Sequence, residues 1–171
     1  MGPGENARPE ENEMAFALGK AIAQEGWIVL TGGRSFGIME AAMKGAHEVN
    51  GLTIGILPTE TAMNSSEEAD IKIITGMGSA RNIINVLSSH ILVVIGMAAG
   101  TASEVALAIK ANKKIILLHQ DEITIRFFKN LGTYKVMIAN TIDETLQIIR
   151  DYIRVTPFAP RTSSKLGELE G

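Results

Sequence analysis

The stretch VVIGMAAGTASEVALAIK, residues Val93 to Lys110, changes character halfway along and decides the fold class. It opens with a continuous apolar run that contains three β-branched residues, which is typical of a strand buried on both faces. Two glycines four positions apart follow, and the remainder has the apolar spacing of a helix. A strand, a glycine-rich turn and a helix in this order commonly form a seat for a phosphate or another anion.

The same alternation of strand and helix runs along most of the chain. Besides the opening stretch, apolar periodicity predicts helices over residues 10–24, 37–48, 80–88, 123–129 and 141–153, and strands over residues 27–31, 52–57, 71–75, 114–118 and 136–139. Strands that alternate with helices imply a parallel sheet covered on both faces. We therefore predict one α/β domain, with a doubly wound, mostly parallel, Rossmann-like sheet and helices on both faces.

The two ends of the chain differ from this pattern. Residues 154–171 are polar, contain Pro157 and Pro160 and lack periodicity, so we predict a domain over 1–153 and a disordered tail after it. The first residues, MGPGEN, have the composition of a loop that follows a strand, yet no strand precedes them in the sequence. Either the first strand of the sheet is absent from the chain or residues 1–6 have another role.

Composition excludes several classes of function. The formal net charge is −3 and the 16 Lys and Arg residues are scattered, which argues against a nucleic-acid partner. The chain has no cysteine and its three histidines lie far apart, so we predict no disulfide and no protein-built metal site. The apolar runs are much shorter than the ~20 residues of a membrane span, and no signal peptide is visible. We expect a soluble cytoplasmic protein with no membrane partner.

Four glycine-containing loops stand at the carboxyl ends of predicted or presumed strands, where open α/β sheets bind ligands. They are Gly2-Pro3-Gly4, TGGRSFG (31–37), TGMGSAR (75–81) and GMAAGT (96–101). A single loop of this kind can be no more than a tight turn, but four on one rim favour a ligand cleft. Arg34 and Arg81 lie in two of these loops, and a guanidinium group can bind a phosphate or carboxylate through two hydrogen bonds.

The GMAAGT loop does not match two common nucleotide sites. No Gly-Lys-Ser/Thr follows it, so it is not a Walker P-loop. Gly96 and Gly100 do not complete G-x-G-x-x-G, and no acidic residue that could bind a ribose ends the next strand. ATP hydrolysis and hydride transfer are therefore disfavoured.

Glu104 admits two interpretations. The run TASE (101–104) matches a capping box, in which the Glu carboxylate turns back to the start of its own helix. Alternatively, the carboxylate points into the cleft and holds hydroxyl or amine groups of a ligand. Arg81 and Asn85 share one face of a predicted helix, and that face is either solvated surface or a wall of the cleft.

Four segments together resemble the molybdenum cofactor carrier proteins of algae and cyanobacteria: TGGRSFGIMEAAMKGA, GLTIGILP, TGMGSARNIINVLSS and GMAAGTASEVALAIKA. The resemblance covers residues 1–153, and MGPGEN fits the loop after the first strand of that family. It implies a Rossmann-like homo-oligomer, a dimer or tetramer. It also implies a carrier that binds molybdopterin-type cofactor, shields it from oxidation and passes it to molybdoenzymes such as nitrate reductase, without transforming it.

In this chain the glycine-rich loops supply the residues expected to contact the cofactor, with no catalytic residue and no metal ligand. They are Gly2, Gly4, Gly32, Gly33, Arg34, Ser35, Gly37, Gly78, Ser79, Arg81, Asn82, Gly96, Met97, Gly100, Thr101 and Glu104. The cofactor brings its own dithiolene ligands to the metal, so the absence of cysteine is compatible with this role.

More distantly, the chain is similar to the lonely-guy phosphoribohydrolases, whose signature is an Arg followed at a distance by PGGxGTxxE. Four positions match it: Arg81, Gly100, Thr101 and Glu104. Gly96-Met97-Ala98 stands where Pro-Gly-Gly is expected, and Arg34 replaces the third Gly of the GGGS loop of those hydrolases. The alternative function is therefore hydrolysis of nucleoside 5′-monophosphates with Arg81 and Glu104 as catalytic residues, and the two departures favour the carrier.

Overall fold

The structure of the protein is a computed structural model, and it describes residues 1–155. Its helices are α1 (Pro9–Gln24), α2 (Gly37–His47), α3 (Arg81–Ser88), α4 (Ala99–Lys110), α5 (Glu122–Gly132) and α6 (Ile142–Val155). Its strands are β1 (Val29–Thr31), β2 (Thr53–Leu57), β3 (Ile71–Ile74), β4 (Ile91–Ile95), β5 (Lys114–Leu118) and β6 (Val136–Ala139). Short 3-10 turns at Gly78–Ala80 and Thr133–Lys135 precede α3 and β6.

The strands form two parallel half-sheets. In the first, β2 lies between β1 and β3, and in the second, β5 lies between β4 and β6. Helix α1 contacts both β1 and β4 and thereby spans the two half-sheets. The predicted Rossmann-like α/β class is confirmed, although the described residues form two three-stranded sheets rather than one continuous sheet.

Met1 lies beside the inner edge of β4, the edge that faces away from β5. Its amino group donates a hydrogen bond to the Val93 carbonyl (2.5 Å), and its carbonyl accepts one from the Ile95 amide (2.9 Å). This is the pairing of a residue in a parallel ladder. Met1 therefore occupies a strand position next to β4, while within residues 1–155 no strand pairs with the inner edge of β1.

Two apolar clusters cover the faces of the second half-sheet. In β5, Ile115 and Leu117 pack against α3, α4 and α5, whereas Ile116 and Leu118 pack against α1, α2 and α6. All four side chains are fully buried. Since successive residues of a strand point to opposite faces, a strand covered on both sides must be apolar throughout, as this run is.

Helices α1 and α2 pack backbone against backbone. A Cβ added at Gly19 would collide with the Ala42 carbonyl oxygen, and one added at Gly45 would collide with the Phe16 carbonyl oxygen. No residue with a side chain fits these two positions without separating the helices. The pair holds the loop between β1 and α2 in place, and that loop carries Arg34.

Several predicted boundaries were wrong by a few residues. Helix α4 begins at Ala99, so Gly100 and Thr101 lie in its first turn and not in the preceding loop. Helix α6 runs to Val155, two residues into the predicted tail, and the rest of that tail lies outside the described residues. None of the helices within residues 1–155 combines the length and the apolar character that crossing a membrane requires.

Candidate functional site

The loops at the carboxyl ends of β1 and β4 are held together by the N-terminal residues. The Pro3 carbonyl accepts a hydrogen bond from the Ile38 amide at the start of α2 (3.1 Å). On its other side, Pro3 Cδ lies 2.9 Å from the position of a Cβ added at Gly96. Residues 1–4 therefore pack between the TGGRSFG and GMAAGT loops.

Arg81, the first residue of α3, reaches the same place from the neighbouring loop. Its side chain is only 8% exposed, and its Nη1 would lie 2.5 Å from a Cβ at Gly32. Its Nε is buried without a hydrogen-bond partner, and within residues 1–155 the guanidinium group forms no ion pair. Burial lowers the pKa of Arg81, Glu104 raises it, and the charge of Arg34 lowers it.

Arg34 is held beside this group by the loop between β2 and β3. Its backbone pairs with Ser65, and the neighbouring Gly33 carbonyl accepts a hydrogen bond from the Ser66 amide (2.8 Å). The Arg34 guanidinium lies 5.6 Å from the centre of the Phe36 ring. The Arg81 guanidinium lies beside Gly32, and the Arg34 charge is near enough to interact with it. Two neighbouring guanidinium groups can bind a phosphate or carboxylate.

The capping-box interpretation of Glu104 was wrong. The N-cap of α4 is Ala98, in extended conformation, and Thr101 is already the third helical residue. The chain turns into the helix at Gly96, whose φ of +64° lies in the left-handed region, so the helix begins earlier than the TASE pattern suggests. The Glu104 carboxylate cannot then cap its own helix, and it accepts a hydrogen bond from Asn85 Nδ2 (3.1 Å).

Asn85 and Glu104 form a buried polar pair between α3 and α4. Asn85 is 2% exposed, and its Oδ1 is buried with no hydrogen-bond partner. The pair also lies close to the chain's amino group, because burial lowers the pKa of the Met1 amine and Glu104 raises it. The face of α3 that carries Arg81 and Asn85 is therefore buried, which excludes the interpretation of this face as solvated surface.

The other predicted site residues differ in what surrounds them. Five glycines pack against protein atoms: Gly2, Gly4, Gly33, Gly37 and Gly96. By contrast, a Cβ at Gly78 or Gly100 would meet nothing within 4 Å, so both face open space. Ser35 and Ser79 are exposed, Met97 packs against the core, and Asn82 donates a hydrogen bond to Ser103 Oγ (3.1 Å).

Sequence reasoning missed the contribution of residues 59–66. The sequence analysis assigned them no role, whereas the structure shows Asn64, Ser65 and Ser66 bracing the loop that carries Arg34. Their position in the sequence indicates this role, because the loop follows the carboxyl end of β2 and so lies at the same edge of the sheet as the other loops.

A second polar cluster lies at the opposite, amino-terminal end of β2. His47 contacts Glu68 through Nδ1 (2.6 Å) and Asp70 through Nε2 (3.0 Å), and Asp70 accepts a hydrogen bond from the Thr53 amide (2.8 Å). A cavity of about 410 Å³ adjoins His47 and Asp70. No group of residues in the described part of the chain has the arrangement of a metal site. This cluster ties the end of α2 to the start of β3.

Known proteins are similar to this chain over most of its length. The SLOG cluster4 family matches residues 1–146. A molybdenum cofactor binding protein of Rippkaea orientalis is 48% identical, with a TM-score of 0.88 over 90% of this chain and 94% of that one. The Moco carrier protein of Chlamydomonas reinhardtii is 46% identical, with a TM-score of 0.85 over 91% and 95% of the two chains.

A protein of Archaeoglobus fulgidus described only as uncharacterized is 41% identical over 109 residues, which are 64% of this chain and 71% of that protein. The resemblance to molybdenum cofactor carriers is confirmed across nine-tenths of the chain. With residues 1–146 matched and the loops of that region assembled around Arg81, the chain belongs to the SLOG cluster4 family.

Proposed function

We propose that this protein is a molybdenum cofactor carrier, which binds the cofactor, protects it and transfers it to molybdoenzymes without transforming it. The observation that carries the proposal is the buried, unpaired guanidinium of Arg81, with Arg34 beside it. Such a group calls for an anion. The molybdopterin-type cofactor carries a terminal phosphate, and the relatives from Rippkaea and Chlamydomonas are by their descriptions cofactor binding and carrier proteins.

The phosphate would lie between the two arginines and the first turn of α4. The amides of residues 99–101 are free donors at a helix N-terminus, where the helix dipole contributes up to about 1 kcal/mol to anion binding. Gly100 leaves this turn open, since a Cβ there would meet nothing within 4 Å. The metal of the cargo is held by the cofactor's own dithiolene sulfurs, so the protein needs to supply no thiolate.

The homo-oligomer that the resemblance implies belongs to the same proposal, as does the cytoplasmic location that the composition led us to expect. Two apolar surfaces support self-association: the β3 edge, where Ile71, Ile73 and Ile74 are 43–47% exposed, and the outer face of α5, where Ile123 and Phe127 are more exposed still. Exposed apolar patches of this kind mark interaction sites. Nitrate reductase is an example of a recipient enzyme that the proposal expects.

We further propose that a strand ahead of Met1 completes the sheet, which is one of the two alternatives that the sequence left open for MGPGEN. Its support is the ladder pairing of Met1 with β4 and the unpaired inner edge of β1. Such a strand, buried on both faces, would be apolar and β-branched. Extending the N-terminus by five such residues should raise Tm, and an equally long Gly/Ser extension should not.

The function is tested by mixing the protein with freshly released cofactor and following how long the mixture still activates a cofactor-free molybdoenzyme. A longer active lifetime than with an inert protein is expected, with cofactor co-eluting on gel filtration. Arg81→Ala should cost about 1.5–3 kcal/mol of binding, and Arg81→Lys should recover only part, because an ammonium group cannot reproduce the planar fork. An unchanged lifetime without co-elution would exclude the carrier function.

Gly100→Leu provides a second test of the proposed phosphate position at the first turn of α4. A Cβ at this position meets no protein atom within 4 Å, so we expect stability to be retained while the cofactor is excluded. Ala106→Leu is the matched control, since Ala106 is exposed on the same helix two turns away. Equal binding by both variants would place the cofactor elsewhere.

The alternative, a nucleoside 5′-monophosphate phosphoribohydrolase, is favoured by one observation: Arg81 and Glu104, its expected catalytic residues, are buried close enough for their charges to interact. In that reaction water cleaves the N-glycosidic bond and yields ribose 5-phosphate and the free base. Incubation with purine nucleoside monophosphates decides between the functions. Release of ribose 5-phosphate that Glu104→Gln abolishes would establish the enzyme, and no release leaves the carrier.

A further inference from the structure

The candidate site has two ends of opposite hydrogen-bonding character. At one end, Arg81 and Arg34 can only donate, because a guanidinium group has no acceptor. At the other end, Asn85 and Glu104 offer acceptors. An anion suits the first end, whereas the second end needs a ligand group that donates hydrogen bonds.

The hydrogen bond within the Asn85–Glu104 pair decides which atoms remain for a ligand. A carboxylate only accepts, so the amide nitrogen of Asn85 must face Glu104, and Oδ1 must point elsewhere. That oxygen is buried and has no partner. The Glu104 carboxylate accepts this one hydrogen bond among the described residues, and its two oxygens have room for about four.

The pair is rigidly mounted. Asn85 stands one helical turn after Arg81 on the same face of α3, and Glu104 lies on α4, which packs against α3. On the exposed side, Asn82 donates a hydrogen bond to Ser103 Oγ and closes the contact between the two helices. Buried polar groups without partners are rare in folded proteins, so the free Asn85 oxygen beside a carboxylate calls for a ligand donor.

We propose that Asn85 and Glu104 bind the donor edge of a 2-amino-4-oxopyrimidine ring, the N–H and amino group that a pterin presents. This inference rests on the proposed function, since it assigns to the same site the part of the cofactor farthest from its phosphate. The edge offers neighbouring donors, and the pair offers neighbouring acceptors. The site thereby selects a pterin over rings that carry an oxygen in place of the amino group.

The test compares two probe molecules in calorimetric titrations of the full chain. One is 6-hydroxymethylpterin phosphate, and the other is the matching lumazine phosphate, in which a 2-oxo group replaces the 2-amino group. The wild-type protein should bind the pterin at least 10-fold more tightly. Glu104→Gln should bring the two dissociation constants to within about 3-fold, because the amide turns a donor or a weaker acceptor towards the edge.

Two control variants test whether the preference for the pterin depends on the Asn85–Glu104 end of the site and not on its phosphate end. Arg34→Ala should weaken both probes to a similar extent and leave their ratio unchanged, since it removes a phosphate contact and keeps Arg81, whose charge interacts with Glu104. Glu122→Gln makes the same chemical change at an exposed position at the start of α5 and should leave both affinities and the ratio unchanged. Circular dichroism melting of each variant confirms that it is folded.

The outcomes distinguish this inference from the proposed function. Equal wild-type affinity for the two phosphates would overturn the assigned donor edge but leave the carrier function standing. A pterin preference that survives Glu104→Gln would overturn the role of the pair. Binding of neither phosphate by the wild-type protein would overturn both the inference and the proposed function.

Discussion

The two half-sheets differ in how their strands are covered, although both are parallel and three-stranded. In the second, β5 is buried on both faces by helices. In the first, all four residues of β3 are exposed, and its end is tied down by the polar cluster around His47. Apolar packing therefore covers β5 on both faces, whereas in the first half β2 is buried and the edge strand β3 is not.

This difference matters for the site. The half with the dense core supplies β4 and the start of α4, and therefore the fixed turn at Gly96 and the open turn at Gly100. The half with the exposed edge supplies Arg34, which the loop after β2 braces. In the proposed function, the anion would therefore bind between a turn next to the dense core and a loop of the half with the exposed edge.

The largest expected effect is the difference in stability loss between a substitution in β5 and one in β3. Leu117→Ala in β5 should reduce the free energy of unfolding by about 2–5 kcal/mol, because it opens a cavity in a fully buried core. Ile73→Ala in β3, where the side chain is 43% exposed, should cost less than about 1 kcal/mol. Urea denaturation measures both. A loss at Ile73 as large as that at Leu117 would show that the β3 edge is covered in solution.

The next effect concerns glycines in two helices. Gly45→Ala should cost about 1–3 kcal/mol of stability, because the new Cβ collides with the Phe16 carbonyl and separates α1 from α2. Gly100→Ala, in the open turn of α4, should stabilise the protein by up to about 1 kcal/mol through helix propensity. Thermal melts of the two variants compare them. A stabilising Gly45→Ala would contradict the close approach of these helices.

The smallest expected effect is electrostatic and confined to the first half-sheet. Burial lowers the pKa of His47, but hydrogen bonds to Asp70 and then Glu68 raise it more, so the pKa in the folded protein lies above the ordinary value of about 6.5. The protonated ring then stabilises the fold fully below about pH 6.5, and this contribution is lost as the pH rises through the raised pKa. Because the side chain is 32% exposed, we expect less than about 1 kcal/mol.

The measurement is the free energy of unfolding of the wild-type protein and of His47→Gln at pH 5.5 and pH 8.5. The wild-type advantage should shrink at the higher pH. A pH-independent difference between the two proteins would mean that His47 acts through packing and not through its charge.

Sequence reasoning succeeded where a local pattern has one physical solution. The run KIILL at 114–118 is apolar at every position after Lys114, and it forms a strand with both faces buried, at the predicted bounds. It failed where two local patterns compete, as at residues 96–104. The capping box placed the helix start at Thr101, whereas the left-handed turn at Gly96 moved it to Ala99.

The sequence by itself determined the alternation of strands and helices, the glycine-rich rim and the identity of the arginines on it. Those features follow from periodicity and from conformations that few residue types allow. Only the tertiary structure decided that Arg81 is buried without a partner and that Glu104 accepts from Asn85. Burial and partnership depend on how α3 and α4 pack against each other and against the loops, and contacts between residues distant in the chain leave no local pattern in it.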